Sequence, residues 1–147
     1  MTIIEITDLM TKEKLNSIGY DIIGCAYEVR KTVGPLLREN YYKHALAFEL
    51  RERGHTADCE VVLPALYKGH QILDSFRIDI LVDNEVLVET KSLPLMSSAD
   101  ARQLMTYLKV SGRKLGYLIN FGAKELTSGV LGDSIYDKGI YRLVNNI

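Results

Sequence analysis

The sequence has few of the features that mark secreted, membrane-spanning or highly charged proteins. It contains only two cysteines, Cys25 and Cys59, so we favour two reduced thiols in the cytoplasm over a disulfide. No apolar run approaches the roughly 20 residues that cross a bilayer. The first residues also lack the basic start and the small-residue cleavage site of a signal peptide. We therefore expect a cytoplasmic protein that does not associate with membranes.

The chain also lacks an excess of charge of either sign, because its net charge is −1. A protein that holds nucleic acid by charge alone carries a basic surplus, since phosphate neutralisation supplies most non-specific affinity. Any basic surface must therefore be local. One group of basic side chains near a predicted helix end is either such a surface or a solvated helix face, and comprises Arg102, Lys109, Arg113 and Lys114.

The hydrophobic pattern predicts a single α/β domain over residues 1–147. Apolar residues recur at helical spacing in three segments, residues 11–33, 37–53 and 98–110. Strand-like patterns cover five segments, residues 60–67, 71–82, 87–91, 114–121 and 140–144. The connection from 122 to 139 gives no clear pattern. Two helices, a three-stranded meander, a helix and a strand indicate a mixed central β-sheet flanked by helices.

Two acids are predicted to face each other in the hairpin formed by residues 76–91. Its middle has the composition of a turn, and a hairpin centred on Asn84 pairs residues that are equally distant from Asn84. Asp79 then lies opposite Glu89, and paired residues have Cβ atoms about 4.5–5.5 Å apart. Lys91 follows two residues later and projects to the same face as Glu89. The opposite face of the first strand is expected to be apolar, with Phe76, Ile78, Ile80 and Val82.

The opposed carboxylates of Asp79 and Glu89 predict a metal site. Two adjacent like charges are unfavourable unless one is protonated or a cation lies between them. Carboxylate oxygens favour Mg²⁺, with Mn²⁺ as the alternative ion. Lys91 would position or polarise the attacking water, and the metal would lower the pKa of that water and stabilise charge on a phosphate. The alternative interpretation is that these charges are solvated on an exposed strand face.

Three further polar residues have two interpretations each. Gln103 and Tyr107 are four residues apart, on a helix stripe that belongs neither to the apolar face nor to the charged face. They either border a polar cleft or cap the edge of the sheet. Glu39 falls in the first turn of the second helix, where the helix dipole alone favours a carboxylate.

Several short motifs together resemble a known family. The run Gly34-Pro35-Leu36-Leu37-Arg38-Glu39-Asn40-Tyr41-Tyr42 resembles the signature of the GxxExxY family, which belongs to the PD-(D/E)XK nuclease-like superfamily. Other motifs follow in the family's order up to about residue 121: Phe76-Arg77-Ile78-Asp79, Val88-Glu89-Thr90-Lys91, Gln103-Leu104-Met105-Thr106-Tyr107-Leu108 and Gly116-Tyr117-Leu118-Ile119-Asn120-Phe121. Leu36 replaces the first glycine of the signature, so the backbone that enters the second helix is expected to differ.

The resemblance implies a restriction-endonuclease-like core and hydrolysis of phosphodiester bonds in DNA, with RNA less favoured. It assigns a role to each residue singled out above: metal ligation to Asp79, Glu89, the Thr90 carbonyl and Glu39, catalysis to Lys91, and the Q-x-x-x-Y element to Gln103 and Tyr107. The alternative function is a catalytically silent module that keeps the nuclease fold for binding or regulation, which the near-neutral charge would fit. A homodimer or a partner protein that supplies targeting is a further expectation.

Overall fold

The protein is described by a computed structural model that covers residues 1–146, apart from the side chain of Leu73. Its helices are α1 (Ile3–Val33), α2 (Glu39–Glu52) and α3 (Ser98–Ser111). Its strands are β1 (Ala57–Tyr67), β2 (His70–Val82), β3 (Val86–Lys91), β4 (Leu115–Asn120), β5 (Thr127–Ser128) and β6 (Gly139–Val144). Within the described residues, no helix combines the length and the apolar character that a membrane span requires.

One six-stranded sheet runs through the molecule in the order β1-β2-β3-β4-β6-β5. The first three strands form an antiparallel meander, and α3 connects β3 to β4, which pair in parallel. One apolar core lies between the sheet and α1 with α2, and a second lies between the sheet and α3. Strand β4 is buried on both faces, because each core covers one of them. The predicted mixed sheet with flanking helices is confirmed.

Helix α1 begins eight residues earlier than its apolar stripe predicts. Thr2 caps it, since the Thr2 hydroxyl accepts the Glu5 N–H at 3.1 Å and the Glu5 carboxylate accepts the Thr2 N–H at 2.7 Å. Residues 1–10 are exposed and contribute nothing to the core. A search for a buried face therefore finds only the later part of the helix.

The hairpin of β1 and β2 extends beyond the sheet as a two-stranded arm. The β1–β2 pairing continues to Tyr67 and His70 at the tip, whereas β2 pairs with β3 only between Ile80 and Val82. The described part of the connection after β4 is also structured: it holds β5, and an isolated bridge joins Met96 to Tyr136.

The predicted common face of Phe76, Ile78, Ile80 and Val82 is wrong. Ile80 and Val82 pack in the core beneath α1 and α2, but Ile78 and the half-buried Phe76 pack in the core beneath α3. The neighbouring strand changes sides at the same level, where Glu60 has a φ of +55°. Strict alternation holds only for a regular strand, and here the arm turns as it leaves the sheet.

The backbone before α2 does not need the glycine that Leu36 replaces. Leu36 has no positive φ, and its side chain is 93% exposed, so its Cβ meets no obstacle. The start of α2 is held instead by neighbouring residues. The Ser92 hydroxyl donates to the Leu37 carbonyl at 2.6 Å, and the Leu37 N–H donates to the Tyr42 hydroxyl at 3.1 Å. These bonds connect the end of β3 to the first turn of α2.

Candidate active site

The site forms where β2 and β3 separate. The backbone pairing of β2 with β3 ends at Ile80 and Val88. One residue further on, side chains form the hydrogen bonds between the two strands. The Asp79 N–H donates to Glu89 Oε1 at 2.9 Å. In return, Asp79 Oδ2 accepts the Thr90 N–H at 2.8 Å and the Thr90 hydroxyl at 3.1 Å. The register centred on Asn84 is confirmed where the strands pair, and it brings Asp79 beside Glu89 as predicted.

Each of the two acids keeps one oxygen that accepts no hydrogen bond from the described residues. These are Asp79 Oδ1 and Glu89 Oε2, since the bonds above use only Oδ2 and Oε1. Hard oxygen donors of this kind suit a divalent ion that retains several waters. The donor set therefore fits a divalent cation. Among residues 1–146, however, no three acidic, histidine or cysteine side chains converge as a ready-made metal cage.

Glu89 is the most buried acid of the site, with an exposed fraction of only 9%. Burial raises the pKa of Glu89 to about 7, and the negative charge of Asp79 contributes to the same shift. The charge of Lys91 opposes that shift, and the charge of Glu39 adds to it. Asp79, Lys91 and Glu39 therefore all act electrostatically on the Glu89 carboxyl.

Glu39 is the first residue of α2 and lies on the exposed rim of the site. Partial burial of its carboxyl, followed by the charge of Asp79, raises the pKa of Glu39 above its usual range. Lys91 and Lys43 act in the opposite direction. Glu39 therefore lies within electrostatic range of Asp79 and Lys91. Its assignment as a metal ligand remains a prediction.

Lys91 ends β3, and its ammonium points to the start of α3. Its Nζ lies 3.8 Å from Asp100 Oδ1, and both side chains are largely shielded from solvent. Sequence reasoning missed Asp100. The available signal was the spacing Ser97-x-x-Asp100 before an apolar helix, which is a capping box. That signal predicts a helix start but does not reveal the neighbouring lysine.

Gln103 and Tyr107, the Q-x-x-x-Y residues, both lie on α3, but their surroundings differ. Tyr107 is half-buried and stacks on Phe76, with ring centroids 4.3 Å apart. Burial and then the charge of Glu89 raise the pKa of Tyr107 above its usual range. Gln103 is exposed one turn earlier, and its side chain makes no hydrogen bond to the described residues. Whether Gln103 and Tyr107 border a polar cleft or cap the edge of the sheet stays a prediction for both residues.

One of three comparisons with known proteins gives a match. The family model of the PD-(D/E)XK nuclease superfamily matches residues 16–130, which include every site residue described above. Neither the search of curated proteins nor the search of solved structures gives a match. The finer resemblance to the GxxExxY family stays a prediction. Because the family model covers more than half of the 147 residues, the chain belongs to the PD-(D/E)XK nuclease superfamily.

Proposed function

We propose that this protein is a divalent-metal-dependent nuclease that hydrolyses phosphodiester bonds in DNA, with RNA as the less favoured substrate. The observation that supports it most is the exchange of hydrogen bonds between Asp79 and the Glu89–Thr90 segment. This exchange fixes two carboxylates side by side, and one oxygen of each accepts no hydrogen bond from the part of the chain that the structure describes. Membership of the nuclease superfamily supports the same reaction class.

Four groups of the chain would hold the metal: Asp79 Oδ1, Glu89 Oε2, the Thr90 carbonyl and the Glu39 carboxylate. A bound Mg²⁺ or Mn²⁺ supplies a water of lowered pKa and neutralises charge on the phosphate. Thr90 has a second task, because its N–H and its hydroxyl hold Asp79 Oδ2 and so set the direction of Asp79 Oδ1. Such support of a ligand by its neighbours maintains the geometry of a metal site.

Lys91 would orient the attacking water and offset the negative charge that develops on the phosphate. Its charge lowers the pKa of the Glu89 carboxyl against the effect of burial, which supports a role at the same centre. Tyr107, packed against Phe76, would contact the substrate strand or a group bound at the metal. Gln103 would extend this contact along the exposed side of α3.

The direct test is cleavage of purified plasmid, single-stranded DNA and RNA in Mg²⁺, in Mn²⁺ and in EDTA. We expect the parent to cleave DNA only with metal and Lys91→Met to lose at least about a hundredfold in rate. Lys12→Met is the matched control, because Lys12 is an exposed lysine of α1 that belongs neither to the site nor to the basic group near α3. Equal cleavage by the parent and Lys91→Met would identify a contaminant. The absence of cleavage of every nucleic acid would contradict the proposal.

The second candidate is a silent binding or regulatory module, and the near-neutral charge of the chain favours it. This alternative expects no cation site that depends on Asp79. Calorimetric titration of parent and Asp79→Asn with Mn²⁺ separates the two functions.

We also propose that targeting comes from a homodimer or a partner protein, since net charge alone gives little affinity for nucleic acid. Light scattering of the purified chain tests the dimer.

A further inference from the structure

We propose that Asp100 is a positioning residue for Lys91, an inference that rests on the nuclease function proposed above. Asp100 would hold the Lys91 ammonium at the acids of β2 and β3, without touching the substrate or the metal itself. The juxtaposition that carries this inference is the 3.8 Å approach of Lys91 Nζ to Asp100 Oδ1. The side chains of Lys91 and Asp100 are only 22% and 23% exposed, so solvent screens their interaction less than it does on an open surface.

The carboxylate of Asp100 is held in place by the helix that carries it. Its Oδ2 accepts the Ser97 N–H at 3.1 Å and lies 3.4 Å from the Ser97 hydroxyl. These contacts belong to the capping box that starts α3, and they leave Oδ1 directed at Lys91. One oxygen therefore stabilises the helix start while the other faces the ammonium.

The backbone of Lys91 is fixed equally well. Lys91 is in register with Asn120 of β4, and its carbonyl accepts the Phe121 N–H at 2.8 Å. Only the flexible four-carbon stem between backbone and ammonium remains to be restrained. The N-terminus of α3 carries partial positive charge and would repel the ammonium if Asp100 were neutral. The negative charge of Asp100 offsets this repulsion and holds the ammonium at the start of α3.

The chain contains a matched control for the capping function alone. Glu5 occupies the same position in the capping box of α1, where its carboxylate accepts the Thr2 N–H. Among the described residues, Glu5 forms no ion pair with a lysine or an arginine. An amide at either position keeps an oxygen that accepts the N-cap N–H. Only at residue 100 does the amide also remove a charge that faces an ammonium.

The first experiment compares Asp100→Asn and Glu5→Gln, each in the parent and in a Lys91→Met background. We expect Asp100→Asn to lower kcat about tenfold, because a small displacement of a reacting group is costly, while KM changes less than about twofold. In the Lys91→Met background the same change should have no further effect, because the two residues act as one unit. Glu5→Gln should leave kcat unchanged in both backgrounds. An undiminished loss in the Lys91→Met background would overturn the inference.

A second measurement does not require nuclease activity. Acylation by an amine-reactive ester, followed by mass spectrometry, gives the labelling rate of each lysine. Loss of the anchor should raise the Lys91 labelling rate about threefold or more in Asp100→Asn, with no change at Lys109. If the parent cleaves nothing but Lys91 labelling rises, the proposed function fails while the anchoring of Lys91 stands. Unchanged labelling of Lys91 in a folded Asp100→Asn variant would show that Asp100 only caps α3.

Discussion

The backbone N–H of Asp79 donates a hydrogen bond to Glu89 Oε1 at 2.9 Å, at the point where the ladder between β2 and β3 ends. Thr90 returns the interaction by donating its own N–H to Asp79 Oδ2. The carboxylate oxygens of Asp79 and Glu89 therefore take the place of the carbonyl oxygens that would accept these N–H groups in a continuing ladder. An amide at position 79 still offers an oxygen to Thr90, so the charge of Asp79 can be tested without breaking the local fold.

Asp79→Asn should weaken Mn²⁺ binding by at least about tenfold, because one anionic ligand becomes neutral. The thermal unfolding midpoint should stay within a few degrees of the parent. Isothermal titration calorimetry in metal-stripped buffer gives the affinity. Asp133→Asn is the control, since Asp133 also accepts a backbone N–H, that of Val130, in a loop outside the site. Equal Mn²⁺ affinity in the parent and in Asp79→Asn would remove Asp79 from the metal site.

Metal-free protein should lose stability between pH 5 and pH 8 because of Glu89. The folded pKa of Glu89 is about 7 against an ordinary 4.5, so the folded state binds the proton more tightly than the unfolded state. This contribution is therefore present at low pH and is lost as pH rises through about 7. A difference of that size corresponds to about 3 kcal/mol, at about 1.4 kcal/mol per pKa unit.

Glu89→Gln should remove most of this pH dependence and stabilise the metal-free protein at pH 8. Urea unfolding in EDTA at several pH values gives the free energy of unfolding for both proteins. Mn²⁺ should restore the parent at pH 8, because the cation favours the ionised carboxylate, and it should leave Glu89→Gln nearly unaffected. Parallel pH profiles for parent and variant in EDTA would show that Glu89 is not the group responsible.

His55 should stabilise the fold because its ring lies between two carboxylates, those of Asp21 and Asp83. Its Nδ1 lies 2.6 Å from Asp83 Oδ2 and its Nε2 lies 2.7 Å from Asp21 Oδ2, so it joins α1 to the turn after β2. Burial alone would lower the pKa of His55, but the hydrogen bonds and charges of Asp21 and Asp83 raise it by more. The stabilisation is therefore complete below pH 6.5 and is lost as pH rises through the folded pKa.

His55→Gln should accordingly destabilise the protein more at pH 5.5 than at pH 8.5. Urea unfolding at both pH values measures the difference, and His70→Gln, at the exposed tip of the arm, is the matched control. A destabilisation by His55→Gln that is equal at both pH values would mean that folding does not raise the pKa of His55.

Variants of Tyr107 and Phe76 should distinguish the contribution of this aromatic pair to stability from its contribution to activity. Tyr107→Phe preserves the stacked pair, so its unfolding midpoint should match the parent, while loss of the hydroxyl should lower kcat about tenfold. Phe76→Ala removes half-buried packing and should cost about 2 kcal/mol of unfolding free energy, below the range for fully buried rings. Chemical unfolding and steady-state cleavage give both quantities. Full activity in Tyr107→Phe would limit Tyr107 to packing.

Patterns of hydrophobicity and turn composition predicted most of the fold that positions the site. The turn around Asn84 defined the register of β2 with β3, and the apolar spacing identified α3 and the fully buried β4. These features depend on local chemistry and on burial, both of which a single sequence records. The pairing of Asp79 with Glu89 followed from the register alone.

The remaining features depend on relationships that no local pattern contains. Glu60 has a left-handed backbone at the level where Ile78 turns to the second core, although an ordinary alternating pattern runs through both strands. Asp100 meets Lys91 only because α3 begins beside the end of β3. Each case needs the three-dimensional arrangement of distant segments.

A crystal of the protein soaked in Mn²⁺ and measured at a wavelength with strong manganese anomalous scattering tests the proposed centre most directly. We predict one anomalous peak between Asp79 and Glu89, about 2.0–2.3 Å from an oxygen of each carboxylate. The peak should disappear in crystals of Asp79→Asn. A fully ordered parent site with no manganese, or manganese bound elsewhere with Asp79 and Glu89 unchanged, would contradict the assignment.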